Sequence, residues 1–247
     1  MARIAVLASG GLDSAVLLAD LAREHTVFPV YVEAGLAWEA REKRALQAYL
    51  GALDMPGVQP LTVLEMPVRS FYRDHWSTTG KDVPGYDAPD SAVYLPGRNV
   101  LLIGVTAVWC ALNEVAAVAI GSLDDNPFPD ATPAFFEDYG RVLSGALDHP
   151  LQVMAPYRNR HKSQIIAAFP DLPLELTLTC MQPILEIRDT PTPPLKGRLA
   201  GQAGDTGDTG DSAGDGFLIH CGDCNKCRER REAFRDAGVP DRTRYAK

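Results

Sequence analysis

The chain has no apolar run of 18 residues, and its first eleven residues hold only a short apolar run before Ser9 and two glycines. The first absence excludes a membrane-spanning helix and the second a signal-peptide core, so the cytoplasm is the expected compartment and no membrane is expected as a partner. Basic residues are outnumbered, with 24 Lys+Arg against 32 Asp+Glu and a formal net charge of −8. That sign repels a polyanion, so direct nucleic-acid binding is not expected. Cysteine is sparse, five in 247 residues, yet three of the five lie within seven residues. In a reducing compartment such clustering points to thiols or metal ligands rather than to a disulfide framework. Large apolar side chains all but vanish after Leu199 in the run 186–216, which is dominated by Pro, Gly, Asp and Thr. Burial there cannot offset the entropy of ordering, and a mobile insert is expected. Its G-D-T-G-D-T-G-D stretch has a spacing that can bind calcium, but a single run lacks the stacked repeats of a calcium-binding solenoid, so a surface loop is the stronger reading.

What is present alternates. Five short runs, 3–8, 27–32, 61–66, 115–120 and 151–155, are apolar and bounded by polar or turn residues, as buried parallel strands are. Helical patterns fall between them. From Trp38 onward, Trp38, Leu46, Tyr49, Leu50 and Leu53 share one side and Arg41, Arg44 and Gln47 the other, while Glu42 interrupts the apolar stripe. This alternation predicts a doubly wound α/β fold with a mostly parallel sheet, whose ligands bind at the carboxyl ends of the strands. With 46% hydrophobic residues the chain can close one substantial core plus an appendage. The expected division is an α/β domain over 1–175 and a C-terminal region over 176–247 that contains the insert.

One strand-ending loop stands out. S-G-G-L-D-S, residues 9–14, follows the first strand and precedes the apolar helical pattern of Ala15, Val16, Leu17, Leu18 and Leu21. Its amides would face an anion at the positive end of a helix dipole, and Gly10 and Gly11 would let the backbone come close. No Lys follows the glycines as a P-loop requires, and the spacing G-x-G-x-x-G of a dinucleotide fingerprint is missing. A simple βα turn is the competing reading.

Near the other end, H-C-G-D-C-N-K-C-R places Cys221, Cys224 and Cys227 in the spacing C-x-x-C-x-x-C. Structural zinc takes four ligands, and overlapping C-x-x-C turns gather three thiolates about one point. Cys180, which stands before the insert, is the natural fourth, because a flexible loop closes at modest entropic cost. Cys110 lies in an apolar helix and reads as buried filler, and His220 competes as a ligand although its adjacency to Cys221 is awkward. An iron–sulfur cluster is the alternative to zinc.

The stretch S-G-G-L-D-S resembles the pyrophosphate loop of the PP-loop ATP pyrophosphatases, which cleave ATP between its α and β phosphates to give an adenylated intermediate. The resemblance implies that Ala8, Ser9, Gly10, Gly11, Leu12, Asp13 and Ser14 bind ATP, with Asp13 orienting the loop or a magnesium ion. Taken in order, this loop, P-G-R-N at 96–99, T-L-T-C at 177–180 and the C-x-x-C-x-x-C run resemble the 7-cyano-7-deazaguanine synthase family over about residues 3–235 less the insert. That resemblance implies ATP-dependent activation of the carboxylate of 7-carboxy-7-deazaguanine, displacement of AMP by ammonia to give an amide, and dehydration of the amide to a nitrile with a second ATP. It implies a homodimer as well. Arg98 and Lys162 match basic positions of the family pattern and are expected at phosphate or adenylate groups together with catalytic Asp13, against the alternative of surface charges. Tyr157, Arg158, Arg160 and His161 crowd the same strand end, where a lone His is more often structural.

One region departs from the family. Where D-x-S-G-Y-P-D-C is usual, this chain has G-S-L-D-D-N-P-F-P-D-A-T over 121–132. Pro129 and Asp130 survive, Phe128 replaces Tyr, and Ala131 stands where Cys is expected. Phe128 is expected to stack on a heterocycle, and Asp124, Asp125 or Asp130 to pair with a guanidine-like ring edge. The altered loop also admits a related PP-loop ligase that adenylates another carboxylate or joins a deazaguanine to another nucleophile. Transfer RNA thiolation is disfavoured by the negative charge and the lack of a spare reactive cysteine, and a nucleotide-binding module without catalysis is the third class.

Overall fold

The computed structural model describes residues 1–124, 126–187 and 216–247. Four of the five apolar runs contain a strand and the other lies within one: β1 Arg3–Leu7, β2 Thr26–Glu33, β3 Thr62–Glu65, β4 Ala117–Ala119 and β5 Gln152–Met154. All pair in parallel, in the order β3-β2-β1-β4-β5. β1 is buried on both faces, and its alternation divides the core. Ile4 and Val6 point into one layer with Leu12 and Val16 of α1 (Leu12–Leu21) and with Leu46 and Tyr49 of α2 (Glu39–Ala52). Ala5 and Leu7 point into the other.

The chain reaches β3 from α2, then makes two single-turn helices, α3 (Arg69–Tyr72) and α4 (Trp76–Thr79), before crossing to the far layer as α5 (Arg98–Leu112). That layer is completed by α6 (Pro133–Leu147), which begins at Thr132, whose hydroxyl accepts from the amide of Phe135 at 3.1 Å, a serviceable N-cap. Cys110 of α5 is fully buried there, and desolvation pushes its thiol up to about 12, which suits filler rather than a nucleophile. α7 (Lys162–Ala168) and α8 (Asn225–Ala237) return to the first layer, so Phe234 of the C-terminal helix shares a core with Ile4. Winding reverses between β1 and β4, which opens a crevice at their carboxyl ends.

β6 (Ile184–Ile187) and β7 (Gly216–Ile219) pair antiparallel, with Ile184 opposite Ile219. The expected mobile insert 186–216 is therefore corrected at its edges, where backbone hydrogen bonding holds both ends in a ladder; its interior, with the G-D-T-G-D-T-G-D stretch, lies outside the described residues. No described helix is long and apolar enough to cross a membrane.

Candidate active site

The crevice is a cavity of about 780 Å³ whose floor is the loop between β1 and α1. Gly10 has a φ of +72°, and a Cβ there would lie 2.6 Å from the carbonyl oxygen of Glu42; only glycine fits both the backbone conformation and the contact. The loop is braced from within. Ser14 donates from Oγ to the Gly11 carbonyl at 3.0 Å and accepts from the Ser9 amide at 3.2 Å, while the Gly11 amide donates to Ser9 Oγ at 3.3 Å. Gly121, at the end of β4, closes the other side, since a Cβ there would stand 3.0 Å from the backbone of Asp13 and Ser14. The segment T-L-T-C supports the loop through the Leu178 amide, which donates to the Gly10 carbonyl at 2.8 Å. Ala8, Ser9, Gly11, Leu12, Asp13 and Ser14 all line the cavity, at the N-terminus of a ten-residue helix where backbone N–H groups favour an anion.

Asp13 and Lys162 meet here although 149 positions separate them. Lys162 Nζ lies 3.1 Å from Asp13 Oδ2 and in close contact with Glu229 of α8, which also takes Lys226 at 2.5 Å. Burial opposes the charge on Asp13 and prevails over the attraction of Lys162, so its pKa is raised. Burial also opposes the ammonium of Lys162, but Asp13 and Glu229 outweigh it and hold the proton on more firmly than usual. Asp13 Oδ1 is buried without a hydrogen-bond partner, an arrangement that a bound cation would satisfy. Glu229 carried no signal in the sequence; its role arises from the packing of α8 on α7.

Arg98 opens α5 after Gly97, whose φ is +73°, and lines the cavity. The Asp130 carboxylate accepts from the Asn99 amide at 2.9 Å, and the Asn99 side chain donates to the Asp130 carbonyl at 2.9 Å. Asp130 thus fixes the start of α5, and with it Arg98, from a position on the cavity wall. Phe128 lines the wall too and stacks on Tyr94 with centroids 4.8 Å apart. Asp124 does not line the cavity; it is exposed and lies 3.7 Å from Arg158, which also donates to the carbonyls of Leu123 and Asp124. Asp125 lies outside the described residues. Of the other residues at this strand end, Tyr157 donates to Asp20 at 2.9 Å and His161 caps α7 in a reciprocal pair with Gln164, both structural uses.

A second polar group was missed because the stripe says which side of the helix is buried but not against what. Glu42, the residue that interrupts the apolar stripe of α2, accepts from the Tyr31 hydroxyl at 2.9 Å and from Trp38. Burial pushes its carboxyl up to about 7 against the pull of Arg98. The interruption itself was the signal.

The four cysteines named from sequence come together: the sulfurs of Cys180, Cys221, Cys224 and Cys227 lie within 4.8 Å of one another. The β6–β7 ladder provides the physical reason, because its register sets the Cys180 segment beside the turn that follows β7. Cys221 and Cys227 are 3.9 Å apart and Cys224 and Cys227 are 3.5 Å apart, against about 3.8 Å for the edge of a tetrahedron with bonds of about 2.3 Å. Backbone amides of Cys221 and Gln182 point at Cys180 Sγ, at 3.2 and 3.3 Å, and stabilise a thiolate there. The cluster can hold a metal. His220 is not part of it; its Nε2 accepts from the Thr179 amide at 3.2 Å, and burial lowers its pKa to about 3.

Residues 3–189 match the sequence profile of the family described as queuosine biosynthesis protein QueC. The chain belongs to that family. Curated relatives cover nearly its whole length. The 7-cyano-7-deazaguanine synthase 1 of Sphingopyxis alaskensis is 28% identical over 98% of both chains, and the 7-cyano-7-deazaguanine synthase of Methanopyrus kandleri is 29% identical over 99% of both. That of Novosphingobium aromaticivorans is 30% identical over 97% of this chain and 93% of its own. A solved structure, a predicted subunit of tRNA methyltransferase from Methanocaldococcus jannaschii, is similar with a TM-score of 0.45 and 14% identity over 78% of this chain and 82% of that one. This member of the QueC family thus carries a parallel sheet, a glycine-rich loop at its switch point and a four-cysteine cluster.

Proposed function

We propose that this protein is an ATP-dependent 7-cyano-7-deazaguanine synthase. The observation that carries the reading is the loop of Ser9, Gly10, Gly11 and Ser14 at the N-terminus of α1, opening into a large cavity beside the Asp13–Lys162 pair, in a chain of the QueC family. Carboxylate oxygen is a poor leaving group. Transfer of AMP from ATP to the carboxylate of 7-carboxy-7-deazaguanine converts it into a good one and releases pyrophosphate; ammonia then forms the amide with loss of AMP. The amide oxygen takes a second adenylyl group, again with release of pyrophosphate, and departs with AMP as the nitrile forms.

In this reading the loop amides hold the pyrophosphate portion of ATP and Lys162 balances its charge, with Glu229 keeping the ammonium in place. Arg98 acts at the phosphate or adenylate from the first turn of α5. The unpartnered oxygen of Asp13 suits magnesium, which when bound neutralises phosphate charge. Zinc suits the closed cluster of Cys180, Cys221, Cys224 and Cys227, where it would tie α8 to the T-L-T-C segment and contribute to folding rather than to chemistry. Partners are then small molecules: ATP, ammonia and the deazapurine acid.

Mass spectrometry of a reaction with magnesium-ATP, an ammonium salt and 7-carboxy-7-deazaguanine tests this. The expected products are the nitrile and AMP. A second reading, a related ligase for another carboxylate, is favoured by the displacement of Asp124 from the cavity. Unchanged deazapurine acid alongside AMP formation from a different acid would establish it instead.

A further inference from the structure

The cavity has a second compartment that adjoins the phosphate loop, where Glu42 packs against Gly10, and its lining is unlike the loop end. Leu36, Val68 and Tyr72 give it apolar walls. Trp38 and Trp76 stack on each other with centroids 5.6 Å apart and 18° between planes, and both face the cavity. Two charged groups enter, Glu42 from α2 and Arg98 from α5.

Several other carboxylates line the cavity, and each is held at one oxygen or more by a protein group or is exposed. Both oxygens of Glu39 are taken by the amides of Ala34 and Gly35, at 2.6 and 2.8 Å. Asp130 holds the Asn99 amide, Asp90 lies 3.3 Å from the Asn225 side-chain amide, and Asp13 and Glu229 are engaged by Lys162. Glu232 and Asp236 are exposed on α8. Glu42 accepts instead from Tyr31 and Trp38, two aromatic side chains of the compartment wall. Those donors aim the carboxylate without neutralising it. A planar heterocycle with N–H donors along one edge and an anion at its other end would complement such a compartment: the rings against the tryptophan pair, the donors on Glu42, the anion toward Arg98.

We propose that Glu42 is the specificity-determining residue of the site, accepting the N–H donors of the guanidine-like edge of the deazapurine while the ring system lies against Trp38 and Trp76. This assignment rests on the synthase reading and gives it a recognition group. It replaces Asp124 and Asp130 in that role, since one lies off the cavity and the other is used by α5.

Glu42→Gln keeps the shape of the side chain and removes the charged acceptor. Its KM for 7-carboxy-7-deazaguanine should rise on the order of 10- to 100-fold, as expected for loss of a hydrogen bond to a charged group, while KM for ATP stays within about twofold. A substrate change provides the independent check. The analogue lacking the exocyclic amine should lose on the order of 100-fold in kcat/KM with the wild-type enzyme and much less with Glu42→Gln, because the group that reads the amine is already gone. Equal discrimination by both proteins would overturn the assignment, as would a rise confined to the KM for ATP. A wild-type enzyme that leaves the deazapurine acid unchanged would fail earlier and differently, overturning the synthase reading and this recognition role together.

Discussion

The two ends of the cavity handle charge in opposite ways. At the loop end Asp13, Lys162, Glu229 and Lys226 form a chain of alternating sign, so the protein holds its own charges in balance until an incoming anion meets Lys162 and the backbone amides. At the aromatic end Glu42 is held by neutral donors, with Arg98 acting on it through charge. A self-compensated cluster is built to persist through several turnovers with ligands of changing charge; an uncompensated carboxylate is built to discriminate, because its cost is relieved only by the right donors. The loop end has a further dependence. Lys226 and Glu229 bracket Cys227 on α8, so the charge chain is mounted on the helix that the cysteine cluster anchors.

Asp13→Asn should break the loop end most severely, lowering AMP formation on the order of 1,000-fold or more while the metal content, read by elemental analysis, stays unchanged. Loss of metal in that variant would show Asp13 to be a folding residue. Cys224→Ser should do the reverse, removing metal and lowering stability by several kcal/mol on the order expected for a structural site, as followed by thermal melting and metal analysis together. A variant that kept its metal would sink the four-cysteine assignment. The aromatic end should respond to pH. Tyr31 on β2, Trp38 at the N-cap of α2, Glu39 on α2 and Arg98 on α5 act on Glu42, and its folded pKa of about 7 lies above the ordinary 4.5. The folded state therefore binds this proton more tightly than the unfolded state does, and the stability it confers, complete below about 4.5, is withdrawn as pH rises through about 7. Melting curves should show Glu42→Gln gaining on the wild type between about pH 5 and pH 8. Asp124→Ala should mark the smallest effect, within about 0.5 kcal/mol in stability and about twofold in kcat/KM, because its exposed pair with Arg158 lies off the cavity.

Much of the architecture could be read from local pattern. Short apolar runs gave the strands, since parallel strands buried on both faces need no alternation, and the glycine loop and the cysteine spacing are local signatures. The nearness of Asp13 and Lys162 was implied only by the family resemblance and the part of Glu229 was invisible, because both depend on α7 and α8 returning to the layer that holds α1. Asp130 has a structural use that stayed hidden for a related reason. Its neighbours in sequence suggested a ligand, and its neighbour in space is also the bare N-terminus of α5, which a carboxylate satisfies. Glu42 was in plain view as a charge on an apolar stripe, but a stripe only says which side is buried; that the burial is against a cavity depends on where β2 and α5 place Tyr31 and Arg98.

The tryptophan pair gives the molecule an optical property. The chain has three tryptophans, of which Trp38 and Trp76 stack at the cavity wall while Trp109 packs on Phe28 in the opposite layer, with ring centroids 5.7 Å apart. Two emitters thus face whatever enters and the third serves as a constant background, so intrinsic fluorescence reports occupancy of the cavity without a label.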